Sequence, residues 1–179
     1  MKAPASLQKQ QHILPQVKSN ELHVFVTPIS KLYTDDTGRF PVHACSGNRY
    51  IMTAYHCDAN LILADPFSSR KDAHILLAYN KIMQRLTENK LFVNLQILDN
   101  EASEEYKRTI KNEWNAKYQL VPPHTHRSNI AERAIRMFKA HFLSILAGVA
   151  PDLPRNLWDL LLPQAKLNLN LLRQATPDP

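Results

Sequence analysis

At 179 residues the chain is long enough for one α/β domain with a sizeable core and too short for two large ones. Its 44% apolar and 21% charged residues exclude a chain disordered throughout, while twelve prolines against three glycines point to stiff, irregular joints. A formal charge of +6 favours an anionic partner, of which nucleic acid is the commonest for a basic domain, but charge without a site does not name one.

Residues 1–28 read as a polar arm or linker, with Pro4 and Pro15, no sustained period and no signal-like apolar run. A first strand is expected over Ile29–Asp35, then a turn marked by Gly38 and Pro41. Tyr50–Cys57 and Leu61–Ala64 read as two more strands, joined by Asp58-Ala59-Asn60 as a tight hairpin, so three antiparallel strands are expected. Ser69 offers a helix N-cap, and Ile75, Leu76, Tyr79, Ile82, Met83 and Leu86 follow the three-and-four spacing of a helix with one buried face.

Val93–Leu98 is the next apolar strand. It ends in Asp99 and, with a helix before it, is expected to join the sheet in parallel. Tyr106, Ile110 and Trp114 stripe a second helix, and Tyr118–Val121 forms a strand stopped by Pro122-Pro123. Asn129–Ala147 is helical, with Ile135, Phe138, Phe142 and Ile145 facing the core. On it Glu132, Arg136 and Lys139 fall within about 60° of one another at 100° per residue. A last helix begins near Pro154–Leu157, and Pro163 should kink or divide it. The leucine-rich stretch Leu157–Leu172 carries Asp159, Pro163 and Lys166, which suits a helix in water better than a membrane span.

The order β-β-β-α-β-α-β-α-α suggests a five-stranded sheet flanked by helices. Cys45 and Cys57 make no Cys-x-x-Cys pair. His43 with Cys45 and His56 with Cys57 fit zinc-module spacing poorly, so strand positions explain them as well as ligation does, and a reducing compartment fits best.

Asp35, Asp99 and Glu132 close two strands and open a helix, three contexts from which carboxylates distant in sequence can converge. Singly, each has a plainer role: Asp35 in the Thr37-Gly38 turn, Asp99 as a helix cap, Glu132 at a helix N-terminus. Asp36 is the nearest competitor to Asp35.

Thr34-Asp35-Asp36-Thr37-Gly38-Arg39-Phe40-Pro41 through Gly47-Asn48-Arg49-Tyr50-Ile51 resembles the start of the integrase catalytic core of copia-like retrotransposons, where an Asp, two variable residues, Gly and Pro precede a Gly-Asn-Arg-Tyr strand. Leu98-Asp99-Asn100 resembles that family's second acidic motif, Asn129-Ile130-Ala131-Glu132-Arg133 its glutamate helix, and Pro154–Arg173 the helices that follow. The ordered combination is more specific than any single piece.

The resemblance implies an α/β, RNase H-like core over residues 29–175, with 1–28 an arm and 176–179 a tail. In it a five-stranded mixed sheet, three antiparallel strands plus two parallel, is flanked by helices on both faces. Asp35, Asp99 and Glu132 would hold two Mg²⁺ or Mn²⁺ ions for phosphodiester transfer on DNA. Arg136 and Lys139, with His126 and Arg127 in the preceding loop, would contact that DNA. Homo-oligomers, no membrane association and an intracellular, nuclear setting belong to the same expectation. A catalytically silent nucleic-acid- or protein-binding module and a nuclease that hydrolyses without joining are the alternatives. The chain departs from the family at Glu101-Ala102-Ser103 and His126-Arg127-Ser128-Asn129-Ile130, where glycine is usual, and thirty-two residues separate Asp99 from Glu132, a few fewer than in the family.

Overall fold

The computed structural model describes residues 29–99, 102–121 and 129–173. The expected arm 1–28, the loop bearing His126 and Arg127, and the tail 176–179 lie outside the described residues. In chain order come β1 (Lys31–Asp36), β2 (Tyr50–His56), β3 (Leu61–Phe67), α1 (Asp72–Glu88), β4 (Leu95–Asp99), α2 (Glu104–Asn112), β5 (Lys117–Val121) and α3 (Asn129–Gly148). A 3-10 helix (Arg155–Leu161) then runs into α4 (Leu162–Leu171).

One five-stranded sheet runs β3-β2-β1-β4-β5. The first three strands pair antiparallel, whereas β4 joins β1, and β5 joins β4, in parallel. This is the mixed sheet expected from the sequence. Parallel pairing needs a crossover, and α1 and α2 supply the two of them. Both faces are covered: Leu32, Met52, Ala54 and Leu98 pack against α1 and α2 through Tyr79, Ile82, Met83, Tyr106 and Ile110. Ile51, Tyr55, Ile62 and Ala64 meet α3, the 3-10 helix and α4 through Phe138, Phe142, Trp158 and Leu162. Alternation along β2 thus feeds two cores, so Ile51–His56 is buried at every position.

Several boundaries differ from expectation for identifiable reasons. Strand β3 continues past Ala64 through Asp65 and Pro66, because it is an edge strand. Ile62 exchanges two hydrogen bonds with the Asn170 side chain (3.0 and 2.8 Å), and the Ala64 carbonyl accepts from Lys166 Nζ at 2.9 Å, so the even-numbered positions face outward from the ladder. Pro66 shares that parity, and its missing N–H costs no sheet bond. Ser69 does not cap α1; Lys71 holds the cap position in extended geometry, while Ser69 Oγ lies against His74 Nδ1. Trp114 stands just beyond α2, where its Nε1 donates to Asn80 Oδ1 at 2.8 Å. Pro163 divides the last helical stretch, sitting in the first turn of α4 where its missing N–H is harmless.

Candidate active site

The C-terminal ends of the neighbouring parallel strands β1 and β4 carry the first two acids. Their register runs Lys31↔Leu95, Leu32↔Gln96, Tyr33↔Ile97, and the same offset sets Asp35 level with Asp99. Strands so paired lie about 4.8 Å apart. On β1, Thr34 and Asp36 turn toward α2, where the Thr34 hydroxyl lies 3.4 Å from that of Tyr106; Tyr33 and Asp35 turn to the opposite face, under α3. Buried Gln96 donates to Thr34 Oγ1 at 3.1 Å, tying β4 to β1 directly behind the acids.

Two openings meet at Asp99. A cleft of about 320 Å³ is lined by Asp35, Asp36, Asp72 and Asp99 together with Arg70, Ser103 and Tyr106. A narrow crevice on the α3 side joins Asp99 to Glu132, between Ile97, Val121, Ala131 and Ile135. Asp99 therefore borders both of the other expected acids. Asp99 is not the cap of α2; Ser103 is, accepting from the Tyr106 N–H at 3.2 Å.

Basic side chains come in among the acids. Lys139 Nζ lies 2.8 Å from Asp35 Oδ2 and 3.4 Å from the Asp36 carbonyl, and Arg136 Nη2 lies 3.1 Å from Glu132 Oε1. Glu132 and Arg136 thus pair along α3, and Lys139, farther along the helix, reaches the acidic end of β1. Burial first, then the charge of Asp35 and more weakly that of Asp99, push the Asp36 carboxyl up to about 6 against the pull of Arg70 and Lys139.

Among the described residues, no three His, Cys, Asp or Glu side chains are gathered closely enough to hold a metal ion together. Like charges at close range repel, and a nearby ammonium or guanidinium is the better partner. The donor set nevertheless suits a hard divalent cation: every candidate ligand is a carboxylate oxygen, and the strand ends have drawn in Lys139 and Arg70 as counter-charges. Cys45 and Cys57 are free thiols, and His56 is used otherwise. Both ring nitrogens of buried His56 are engaged, Nε2 with Ser30 Oγ and the Phe92 carbonyl and Nδ1 with the Ala59 N–H.

The sheet order and the strand-end acids direct attention to one class of solved structure. The catalytic core domain of BIV integrase matches with a TM-score of 0.60 at 18% identity, over 83% of this chain and 88% of that one. This chain has the fold of a retroviral integrase core. The HTLV-2 integrase catalytic core domain, solved in complex with magnesium in a trimeric form, matches at 0.60 and 15% identity over 84% and 90%. The simian T-cell lymphotropic virus intasome, in complex with PP2A regulatory subunit B56 gamma, matches at 0.64 and 15% over 84% of this chain, which spans about half (51%) of that one. No protein-family model and no curated protein matches the sequence. The integrase-core, RNase H-like architecture expected from the motifs is therefore the architecture observed.

Sequence reading missed Arg70 and Tyr106 as cleft residues. Arg70 lies over the Tyr50 ring at 5.4 Å and reaches the Thr37 carbonyl. A cation among polar residues before a helix carries no signal that separates it from a solvated turn, and Tyr106 reads as plain core. Among the described residues no helix is long and apolar enough to cross a membrane.

Proposed function

We propose that this chain is a retrotransposon-type integrase catalytic core, of the copia-like kind its motifs resemble, which binds DNA and catalyses metal-dependent strand transfer. One observation carries the reading: Asp35 and Asp99 end adjacent parallel strands at one level, and Asp99 shares a crevice with Glu132 from the helix that covers them. On this reading residues 29–175 form the core, with the arm 1–28 and the tail 176–179 outside it.

Asp35, Asp99 and Glu132 would hold two Mg²⁺ or Mn²⁺ ions, which when bound supply Lewis-acid charge at the attacking and leaving oxygens of a phosphodiester. The protein's own residues do the positioning. Lys139 and Arg136 leave Asp35 and Glu132 for the phosphates of the DNA, exchanging an internal carboxylate for a closely spaced run of external anions. Arg127 and His126, which precede α3 in the sequence, would contact the same DNA. Gln96 and Thr34 hold the two strand ends in register while this exchange occurs. Acting on chromosomal DNA places the activity in the nucleus, and self-association, which sedimentation would measure, belongs to the same reading.

The test is strand transfer of a labelled DNA end with Mg²⁺ or Mn²⁺, comparing the intact chain with Glu132→Gln. Loss of joined product in the variant is expected; equal activity in both removes the assigned role. The second reading, a catalytically silent binding module, draws on the basic partners held by Asp35 and Glu132. Duplex binding that survives loss of all three acids, with no cleavage or joining by the intact chain, favours it.

A further inference from the structure

The segment between β1 and β2, residues 37–49, contains Arg39, His43 and Arg49 and no Asp or Glu. It is a built loop. The Phe40 N–H donates to the Arg49 carbonyl at 2.8 Å and the Ala44 N–H to the Asn48 carbonyl at 3.0 Å, which brings Arg39 and Arg49 to opposite limbs of one narrow turn. The 3-10 helix then fixes the turn from beneath. The Phe40 ring stacks on Trp158 with centroids 4.3 Å apart, and Trp158 Nε1 donates to the Val42 carbonyl at 3.0 Å. The Cys45 N–H donates to the Asn156 carbonyl at 2.8 Å, and buried Asp159 accepts from the Ser46 hydroxyl and from Asn48 Nδ2.

Among the described residues the cations on this loop, Arg39 and Arg49, pair with no acid, and the polar partner of Arg39 Nη2 is His43 Nε2 at 3.5 Å. Partial dehydration, then the charges of Arg49 and Arg39, hold His43 below its ordinary range. Cations that crowd one another on a pinned loop form a site completed by an anion.

The loop is also continuous with the acidic strand ends. A groove of about 270 Å³ runs between Thr37, Gly38, Arg39 and Phe40 on one side and Phe138, Lys139 and Leu143 of α3 on the other. Lys139, whose Nζ lies 2.8 Å from Asp35, and Arg39 both line it.

We propose that Arg39, His43 and Arg49 form a phosphate-binding track for the backbone of duplex DNA, extending through this groove from Lys139 and carrying the duplex away from the acids across the β1–β2 loop. The inference rests on the nucleic-acid reading above and adds a surface to it. A polyanion with regularly spaced charges matches several cations on one surface, and a fixed loop presents them without the ordering cost of a slack one. The contacts carry no base information, so the track sets position and affinity rather than sequence choice.

The experiment is fluorescence anisotropy of a labelled short duplex with the full chain, in EDTA so that no chemistry occurs, from about 50 to 200 mM KCl. Wild type is compared with the double variants Arg39→Ala/Arg49→Ala and Arg39→Lys/Arg49→Lys, with melting curves to show that each is folded. The alanine pair is expected to lower the slope of log K against log salt by about 2 and to weaken binding roughly tenfold or more on every sequence, while the lysine pair keeps the slope. Unchanged slope and affinity in the alanine pair, no duplex binding by wild type, or preferential capture by phosphatidylserine vesicles overturns the track. The two readings fail separately. An altered slope without strand transfer in Mg²⁺ leaves the track and removes the chemistry, whereas full strand transfer with an unaltered slope removes the track and leaves the chemistry.

Discussion

Asp35 and Asp65 are both strand carboxylates with basic neighbours, yet they sit in opposite circumstances. Asp65, on edge strand β3, has a side chain only 3% exposed and is enclosed by cations: Arg85 at 2.9 Å, Lys81 at 3.6 Å and Lys166 anchored beside it on the Ala64 carbonyl. Asp35 is 28% exposed, beside Asp36 and on a cleft shared with Asp99 and Asp72. Among the described residues, the first is a buried acid with several cations around it; the second is a set of acids lining a cleft. A buried acid enclosed by cations is architecture, whereas a set of acids lining an open cleft at the strand ends leaves room for a cation and a substrate to enter.

The sharpest way to break this comparison is to neutralise each acid in turn. Asp35→Asn is expected to abolish most strand transfer, since a metal-stabilised transition state is worth several kcal/mol, or about 10²- to 10³-fold or more in rate. Its melting temperature should barely move, because the lost Lys139 pair is offset by relief of Asp36. A product yield equal to wild type would end the catalytic assignment of Asp35.

Asp65→Asn should do the reverse. Breaking a buried pair costs about 3–5 kcal/mol, and the part-exposed Arg85 puts the expected loss near the lower end, to be read from urea denaturation. A stable Asp65→Asn protein would mean that β3 does not depend on its cations.

A smaller effect tests the same network by pH. Burial, then Arg85, lowers Lys166 from 10.5 to about 8, against the opposing pull of Asp65. Between about 8 and 10.5 the unfolded chain therefore holds more protons than the folded one, and stability rises with pH across that window. The contribution is complete above 10.5 and lost as pH falls through 8. Wild type should gain on Lys166→Met over this range, and parallel stability curves would contradict the burial of the amine. The smallest effect is expected at Arg136→Ala, whose pair with Glu132 joins two well-exposed side chains and is worth about 0.5 kcal/mol or less to the fold. A loss in thermal melting equivalent to more than that would show the pair to be structural.

The elements were legible where a single period ran uninterrupted. The α1 stripe of Tyr79, Ile82, Met83 and Leu86 and the α3 stripe of Phe138 and Phe142 are buried as their spacing predicts. The extension of β3 through Asp65-Pro66 was not legible, since proline argues against a strand and only the edge position, which no local pattern encodes, makes that pair acceptable. The position of Asp35 and Asp99 at the ends of neighbouring strands was legible through motif order. Their partners were not: Lys139 beside Asp35 is a meeting across 104 residues, and Arg70 enters the cleft through a turn with no period at all.

The clasp on the β1–β2 loop has a consequence for timing. Ser46 and Asp159 are 113 positions apart, and Trp158 and Val42 are 116 apart. A ribosome delivers Arg39 and Arg49 long before it delivers the residues that fix their loop, so the nascent chain carries those arginines on a slack tether until its closing helices emerge. The basic loop thus acquires its shape late in synthesis, when the rest of the sheet has already been made.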